Sequence, residues 1–234
     1  MAMMKNIQEF IKELQKYKGN LVFNPWQDYD PTYDIGPEAP KIRSSNLERY
    51  LELRENAKYL FIAEGIGYQG GHFSGIAMTS ERILLGKHKA IPAKVVLGDW
   101  EYKRTSNSEC PLLNAKQKEG GFNEPTDTVM WGELAKNSLS PLEAVLWNIF
   151  PFHPYKKTGL LTNRTPVKEE LDIGIVYAKM LMEMIPNMKI VAIGQKSAVT
   201  LREYGIECSS VRHPANGGAT QFKNEVDKIL SIEK

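Results

Sequence analysis

The sequence predicts an α/β fold: a three-layer α/β/α sandwich around a central, mainly parallel sheet of four strands. Three observations carry this. Apolar runs at 59–64 (YLFIAE), 144–150 (AVLWNIF) and 189–194 (KIVAIG) are continuous rather than alternating, as strands buried on both faces are. A fourth, shorter run spans 207–214 (ECSSVRHP). Segments of helical character separate the runs, and alternation of helix with strand is the layout of parallel sheets.

Each element has a local reason. The opening MAMMKNIQEFIKELQKYKG is without the apolar block of a secretory signal and reads as an amphipathic helix. SNLERYLELRENA at 45–57 is a helix leading into the first strand. PVKEELDIGIVYAKMLMEMIP at 166–186 is a helix bounded by Pro166 near its start and Pro186 after its end. QKSAVTLREYG at 195–205 is a short helix that Gly205 stops. GGATQFKNEVDKILSIEK closes the chain as a last amphipathic helix. Residues 98–140, rich in Gly, Pro and Trp and without a clear period, are an excursion from the sheet, with short helices of their own. They act either as a lid or as a plain insertion. With no internal repeat and no linker, 1–234 is expected to be one domain.

Composition narrows the function classes. The chain is 42% hydrophobic and 25% charged, with a net charge of +2. No apolar stretch approaches the roughly 18 residues of a membrane span. Two cysteines, Cys110 and Cys208, are too few for a disulfide framework, so a cytoplasmic protein is expected. Four histidines with no C-x-x-C or H-x-x-x-H spacing argue against a metal site. DYDPTYD, with Asp28, Asp30 and Asp34, begins like a calcium loop but has neither its glycine nor its closing glutamate, and is read as a solvated loop.

The loop AEGIGYQGGHFSG at 63–75 contains Gly65, Gly67 and Gly70 in a literal G-x-G-x-x-G. A dinucleotide fingerprint also needs a helix opening within the motif and an acid about 20 residues on. The spread of glycines favours an extended loop, and LLGKHKA, where the acid belongs, offers cations. No Walker lysine follows, and the serine of GHFSG is one place late for a nucleophile elbow. A loop that lets a ligand approach the backbone remains, with Glu64 at its start. Glu64 ends a buried strand at the carboxyl edge of the sheet, where such folds bind ligands. Alone, it could equally pair with a cation or cap a backbone amide. Asn148, inside an apolar strand, is either a structural clamp or a reader of a polar ligand edge. His213, at a strand end, is either a structural hydrogen-bonder or a catalyst. Loops at 82–94, 153–168 and 212–223 hold ten cations and no carboxylate. This is a pattern that suits a phosphate backbone.

These features together resemble the uracil-DNA glycosylase superfamily, in a bacterial branch without an iron–sulfur cluster. AEGIGYQGGHFSGIAMTSE is similar to its first motif, LWNIFPFHP to the strand bearing the base-reading asparagine, and RHPANGG to the H-P-S motif. The resemblance implies a monofunctional DNA glycosylase that flips uracil or a related deaminated base (hypoxanthine, xanthine) out of DNA and hydrolyses its N-glycosidic bond. It implies catalysis by Glu64, on the water, and His213, on the departing base. It implies a base pocket of Gly65, Ile66, Gly67, Tyr68, Phe73, Met78 and Asn148. DNA-backbone contacts would come from Arg212, Ala215, Asn216, Gly217, Gly218, Lys156 and Lys157. No metal or organic cofactor is implied, the partner is single- or double-stranded DNA, and the protein is expected to be a monomer. The chain departs from the family at Gly65 and Gly67, where Asp and Tyr stand in the best-known members. It also departs at Ile66, where another group has proline, and at Met78 in place of the stacking aromatic. Two other classes stay open: a non-catalytic nucleic-acid-binding relative, and a nucleotide-binding enzyme using the glycine loop.

Overall fold

The computed structural model describes residues 6–137 and 140–231. The ends of the two terminal helices expected from sequence (1–5 and 232–234), and 138–139 of the excursion, lie outside the described residues. Helix α1 (Ile7–Gln15) starts at Asn6, whose side chain accepts a hydrogen bond from the Glu9 amide, and buries Phe10, Ile11 and Leu14. After β1 (Val22–Phe23), α2 spans Ala39–Glu52, beginning earlier than the sequence pattern indicates. The aspartate-rich stretch before it is not a solvated loop. Asp34 is 2% exposed and takes two hydrogen bonds from the buried Arg43 guanidinium, at 2.8 and 3.1 Å.

Strand β2 (Tyr59–Gly65) leads into three short helices, α3 (Gly71–Ser74), α4 (Glu81–Leu84) and α5 (Lys94–Leu97). The glycine loop is therefore extended only as far as Gly70. Residues 98–140 contain α6 (Ala115–Gly120) and α7 (Pro125–Lys136). They are bound into the body of the protein. Met130, Trp131 and Leu134 are buried, Trp131 Nε1 donates to Thr79 Oγ1 at 3.1 Å, and Asp127 Oδ2 accepts from the Ser80 amide at 2.8 Å. The rest follows as β3 (Ala144–Phe150), β4 (His153–Pro154), α8 (Lys168–Met184), β5 (Lys189–Ile193), α9 (Gln195–Glu203), β6 (Ser209–Val211) and α10 (Ala219–Ser231).

The four expected strands form one parallel sheet in the order β3-β2-β5-β6. Strands β2 and β3, paired from Tyr59 opposite Ala144 to Gly65 opposite Phe150, are almost wholly buried, which is why their sequences run apolar without alternation. The connection from β2 to β3 steps one way along the sheet. Those from β3 to β5 and from β5 to β6 step the other way. Right-handed crossovers thus put residues 98–140 on one face and α8 and α9 on the opposite face, completing the three layers. The chain reverses direction across the sheet at β2, and a crevice opens outside the carboxyl ends of strands at such a point. A small antiparallel pair, β1 with β4, sets Phe23 against His153 and was not legible in the sequence.

Candidate active site

The crevice expected at the carboxyl ends of β2 and β5 is present, with a volume of about 600 Å³. Its floor is Ala63–Gly67 from the end of β2. Residues 193–197, where β5 passes into α9, form one side, and Arg212, His213 and Asn216 come from beyond β6. Gly194 makes the corner into α9 with φ +86°, and a Cβ there would stand 3.2 Å from the Cβ of His213. Glycine at that corner seats the imidazole.

His213 has a fixed chemical state. Its Nδ1 accepts a hydrogen bond from the Ala215 amide at 3.1 Å, so the ring proton resides on Nε2. Burial, with Arg212 adding to it, holds the pKa below the usual histidine value, so the ring is neutral. A neutral imidazole with Nε2–H free is a hydrogen-bond donor. The turn behind it carries Asn216 at φ +53° and Gly217 at φ +76°, closed by the Gly218 amide bonding to Ala215 O at 3.1 Å.

Glu64 is partly buried in the same cleft, with Lys196 Nζ 3.9 Å from its Oε2. Burial raises its pKa and Lys196 opposes that rise, so one carboxyl is shielded from bulk water yet kept near a counter-charge. A partly dehydrated carboxylate in the same cleft as a donor imidazole suits proton removal from a water and stabilisation of a developing anion.

The structure brings Glu64, Gly65, Ile66, Gly67, Arg212, His213 and Asn216 of the sequence-expected set to this cleft. The others lie elsewhere. Phe73 is fully buried and stacks on Phe122 (centroids 4.2 Å, planes 12° apart) in a satellite cluster, where Tyr68 meets Phe122 edge-on at 6.2 Å. Both rings are held by that cluster and are not presented to the cleft. Met78 is buried in the main core with φ +49°, a strained value for a residue with a Cβ. Asn148 is 1% exposed, directly across from Ala63 in the sheet, and its Oδ1 has no hydrogen-bond partner. It therefore sits one strand behind the cleft floor with an acceptor unused. Ala215, Gly217 and Gly218 shape the turn beside His213. Lys156 and Lys157 are on the exposed turn after β4 and do not line the cleft.

The cationic loops are less free than their sequence suggests. Arg164 is held by both Glu170 oxygens at 2.6 and 2.7 Å, Lys168 pairs with Asp172 at 3.6 Å, and Arg82 donates to the carbonyls of Lys116 and Gly121. At the cleft itself the cations are Lys196, Arg212 and the Glu170-paired Arg164.

Lining groups that escaped the sequence reading include Glu124, Thr126, Asn163 and Lys196. Lys196 follows Gly194 after an apolar run, a strand–glycine–helix signal that could have found it. Asn163 Oδ1 accepts from the Tyr68 amide at 3.0 Å and pins the glycine loop. Glu124 and Thr126 come from the excursion, where no periodicity guides a reader.

Behind the loop lies a buried histidine pair. His153 Nε2–H donates to Thr162 O at 2.8 Å, so its Nδ1 accepts the Nδ1–H of His72, also at 2.8 Å. Burial pulls His153 down to about 4, and His72 well below the usual range. Among the described residues no group of three or more His, Cys, Asp or Glu could hold a metal ion, and no helix is long and apolar enough to cross a membrane.

The crystal structure of wild-type SMUG2 from Pedobacter heparinus, a glycosylase of the uracil-DNA glycosylase superfamily, superposes with a TM-score of 0.62. The match covers 99% of this chain and 97% of that one at 14% sequence identity. The two chains share a fold. At that identity the likeness is one of architecture alone. No family model and no curated protein matches the sequence.

Proposed function

We propose that the protein is a monofunctional DNA glycosylase that hydrolyses the N-glycosidic bond of uracil, or a related deaminated base, flipped out of DNA. The observation that carries this is the pairing of Glu64 with a neutral, Nε2-protonated His213 in one crevice, on the fold that SMUG2 also has. In this reaction the base leaves with the electron pair of the C1′–N bond. His213 donates to the charge growing on the base, Glu64 takes a proton from the attacking water, and the oxygen of that water bonds to C1′. Asn148, with its Oδ1 unpaired, lies one strand behind the cleft floor and is given no contact with the base. Lys196 and Arg212 meet the phosphates on either side of the extruded nucleotide.

The one-turn helix α3 is shorter than the helix that a dinucleotide motif opens, which counts against the nucleotide-binding alternative. A non-catalytic nucleic-acid-binding relative stays as the second reading, favoured by the placing of Met78 and Asn148 outside the cleft lining. Incubation of the protein with labelled single-stranded oligonucleotides carrying one uracil, hypoxanthine or xanthine, followed by alkali, separates the two. Strand cleavage supports the glycosylase. Three intact oligonucleotides that still bind the protein in a salt-dependent way support the binding relative.

A further inference from the structure

The glycine loop is held at three points by one stretch of chain, residues 153–166. Pro166 closes on Gly65, where a Cβ would stand 2.9 Å from the Pro166 Cγ. Asn163 Oδ1 takes the Tyr68 amide at 3.0 Å. His153 Nδ1 meets His72 Nδ1 at 2.8 Å, in α3, where the loop ends. Between these points a Cβ at Gly70 would stand 3.0 Å from Glu124 Cδ, so a carboxyl from another segment fills that space. The stretch is braced within itself. Thr162 Oγ1 accepts from the Lys156 amide at 2.9 Å and donates to Gly159 O at 2.6 Å, and the Arg164 amide donates to Pro154 O at 3.1 Å. Its last residues, Asn163 to Pro166, line the crevice together with the cleft floor. It is a strap laid along the loop.

The histidine contact admits one arrangement of protons. His153 Nε2–H donates to Thr162 O at 2.8 Å, which leaves a lone pair on Nδ1 for the Nδ1–H of His72. His72 Nε2 is buried and has no hydrogen-bond partner among the described residues, a place where a bare lone pair costs less than an N–H. A second proton has nowhere to go. On His153 Nδ1 it faces the Nδ1–H of His72, and shifting that hydrogen to Nε2 strands it without an acceptor. On His72 Nε2 it makes a buried cation without a partner. Among the described residues, the charged groups around the pair are two arginines with their acids. Arg43, paired with Asp34, stands 5.2 Å over the Phe23 ring that stacks on His72 at 4.0 Å, and Arg164, paired with Glu170, acts on His153. The other titratable ring, Tyr155, lies 6.0 Å from His153. Burial above all, with the two guanidiniums adding to it, holds both imidazoles below the usual histidine range.

We propose that His72 and His153 are positioning residues: one shared proton latches the far end of the glycine loop to the strap, and a second proton on either ring releases it. The cleft floor keeps its shape while both rings are neutral and loses it in acid. Hydrogen exchange of the loop reads the latch directly, and the effect on base release rests on the glycosylase reading above.

Exchange of the 65–73 amides, corrected for the intrinsic rate at each pH, is measured by mass spectrometry on the full chain between about pH 7.5 and 5. Uracil release under single-turnover conditions is followed alongside. A ring that titrates at about 4 when latched and at 6.5 when free opens about 30-fold more often at pH 5 than at pH 7.5, and loop protection is expected to fall by that factor. His72→Asn keeps an N–H towards His153 and can turn its oxygen there once His153 is protonated. It is expected to retain wild-type protection and uracil release at pH 7.5 and to lose the acid decline. His72→Phe has no donor, so at pH 7.5 its loop is expected to exchange about 10-fold faster, and its half-saturating oligonucleotide concentration to rise about 10-fold with the maximal rate within about threefold. Flat protection in the wild type, an acid decline in His72→Asn equal to the wild type's, or wild-type protection in His72→Phe overturns the latch. If His72→Phe does not fold, the first two outcomes still decide. Faster exchange in His72→Phe with unchanged half-saturation overturns the positioning role. A loop that behaves as expected in a protein that releases no uracil keeps the latch and overturns the glycosylase reading.

Discussion

Gly174 stands in the middle of α8, and replacing it by alanine sets two effects of opposite sign against each other. Alanine is favoured over glycine inside a helix by about 0.5–1 kcal/mol. Against that, a Cβ at 174 would lie 2.8 Å from Ile149 C and 2.9 Å from Phe150 Cα, and nearer still to Ile149 O. All three are backbone atoms of β3, which no rotamer change can move aside. Ordinary contact begins at 3.4 Å, so α8 must retreat from the sheet by at least about half an ångström. A gap of that size forfeits roughly a quarter or more of the dispersion well of each contact it opens. Ile175, Ala178 and Leu181, the buried face of α8, all share the loss. With overpacking typically costing about 1–3 kcal/mol, the net effect of Gly174→Ala is a destabilisation of about 2 kcal/mol. For a chain of this length that lowers Tm by about 4–8 °C, which differential scanning calorimetry resolves. An unchanged or raised Tm would show that β3 and α8 do not meet as closely as described, and with it would go the placement of Asn148 one residue before the contact.

Two further outcomes concern buried charge. Asp34→Asn leaves the Arg43 guanidinium buried without its counter-charge and is expected to cost about 3–5 kcal/mol in urea unfolding, a loss below about 1 kcal/mol counting against a desolvated pair. The second follows from His153, whose folded pKa is depressed from 6.5 to about 4. The folded state keeps the ring neutral while the unfolded chain takes up a proton, so stability is full above about pH 6.5 and declines by about 3 kcal/mol as pH falls towards 4. Asp127, raised to about 6, works in the opposite sense over part of that window, so the His153 contribution is read as a difference between variants. His153→Gln should flatten the acid decline relative to the wild type, and an identical slope in the two proteins would remove the His72–His153 pair from the explanation.

Much of the sheet could be read before any coordinates because burial on both faces writes itself into the sequence as unbroken apolar runs. Glu64 and His213 were legible for a related reason. Glu64 ends such a run and His213 follows the last short strand, which puts both at the carboxyl edge. What failed to show was whatever depends on side-chain direction or on packing between distant segments. Phe73 and Tyr68 lie in the right loop, but they turn to Phe122, a residue about fifty positions away whose role no local pattern reveals. Asp34 looked like part of a solvated loop because its partner Arg43 is on the next helix. Glu124 was hidden inside an aperiodic excursion, and its position became meaningful only when Gly70 was found beneath it. The glycine loop shows the same limit, since the carboxyl that meets Gly70, that of Glu124, comes from another segment.

In the proposed reaction Glu64 is the group assigned to the water, with Gly65 standing where the best-known uracil-DNA glycosylases carry aspartate. The most direct test is the single-turnover release of uracil from a labelled oligonucleotide by wild type, Glu64→Gln and His213→Ala. Removal of one preorganised donor or base is expected to slow release about 100-fold or more in each variant while the wild type goes to completion. Release by Glu64→Gln and His213→Ala at the wild-type rate would contradict the assignment.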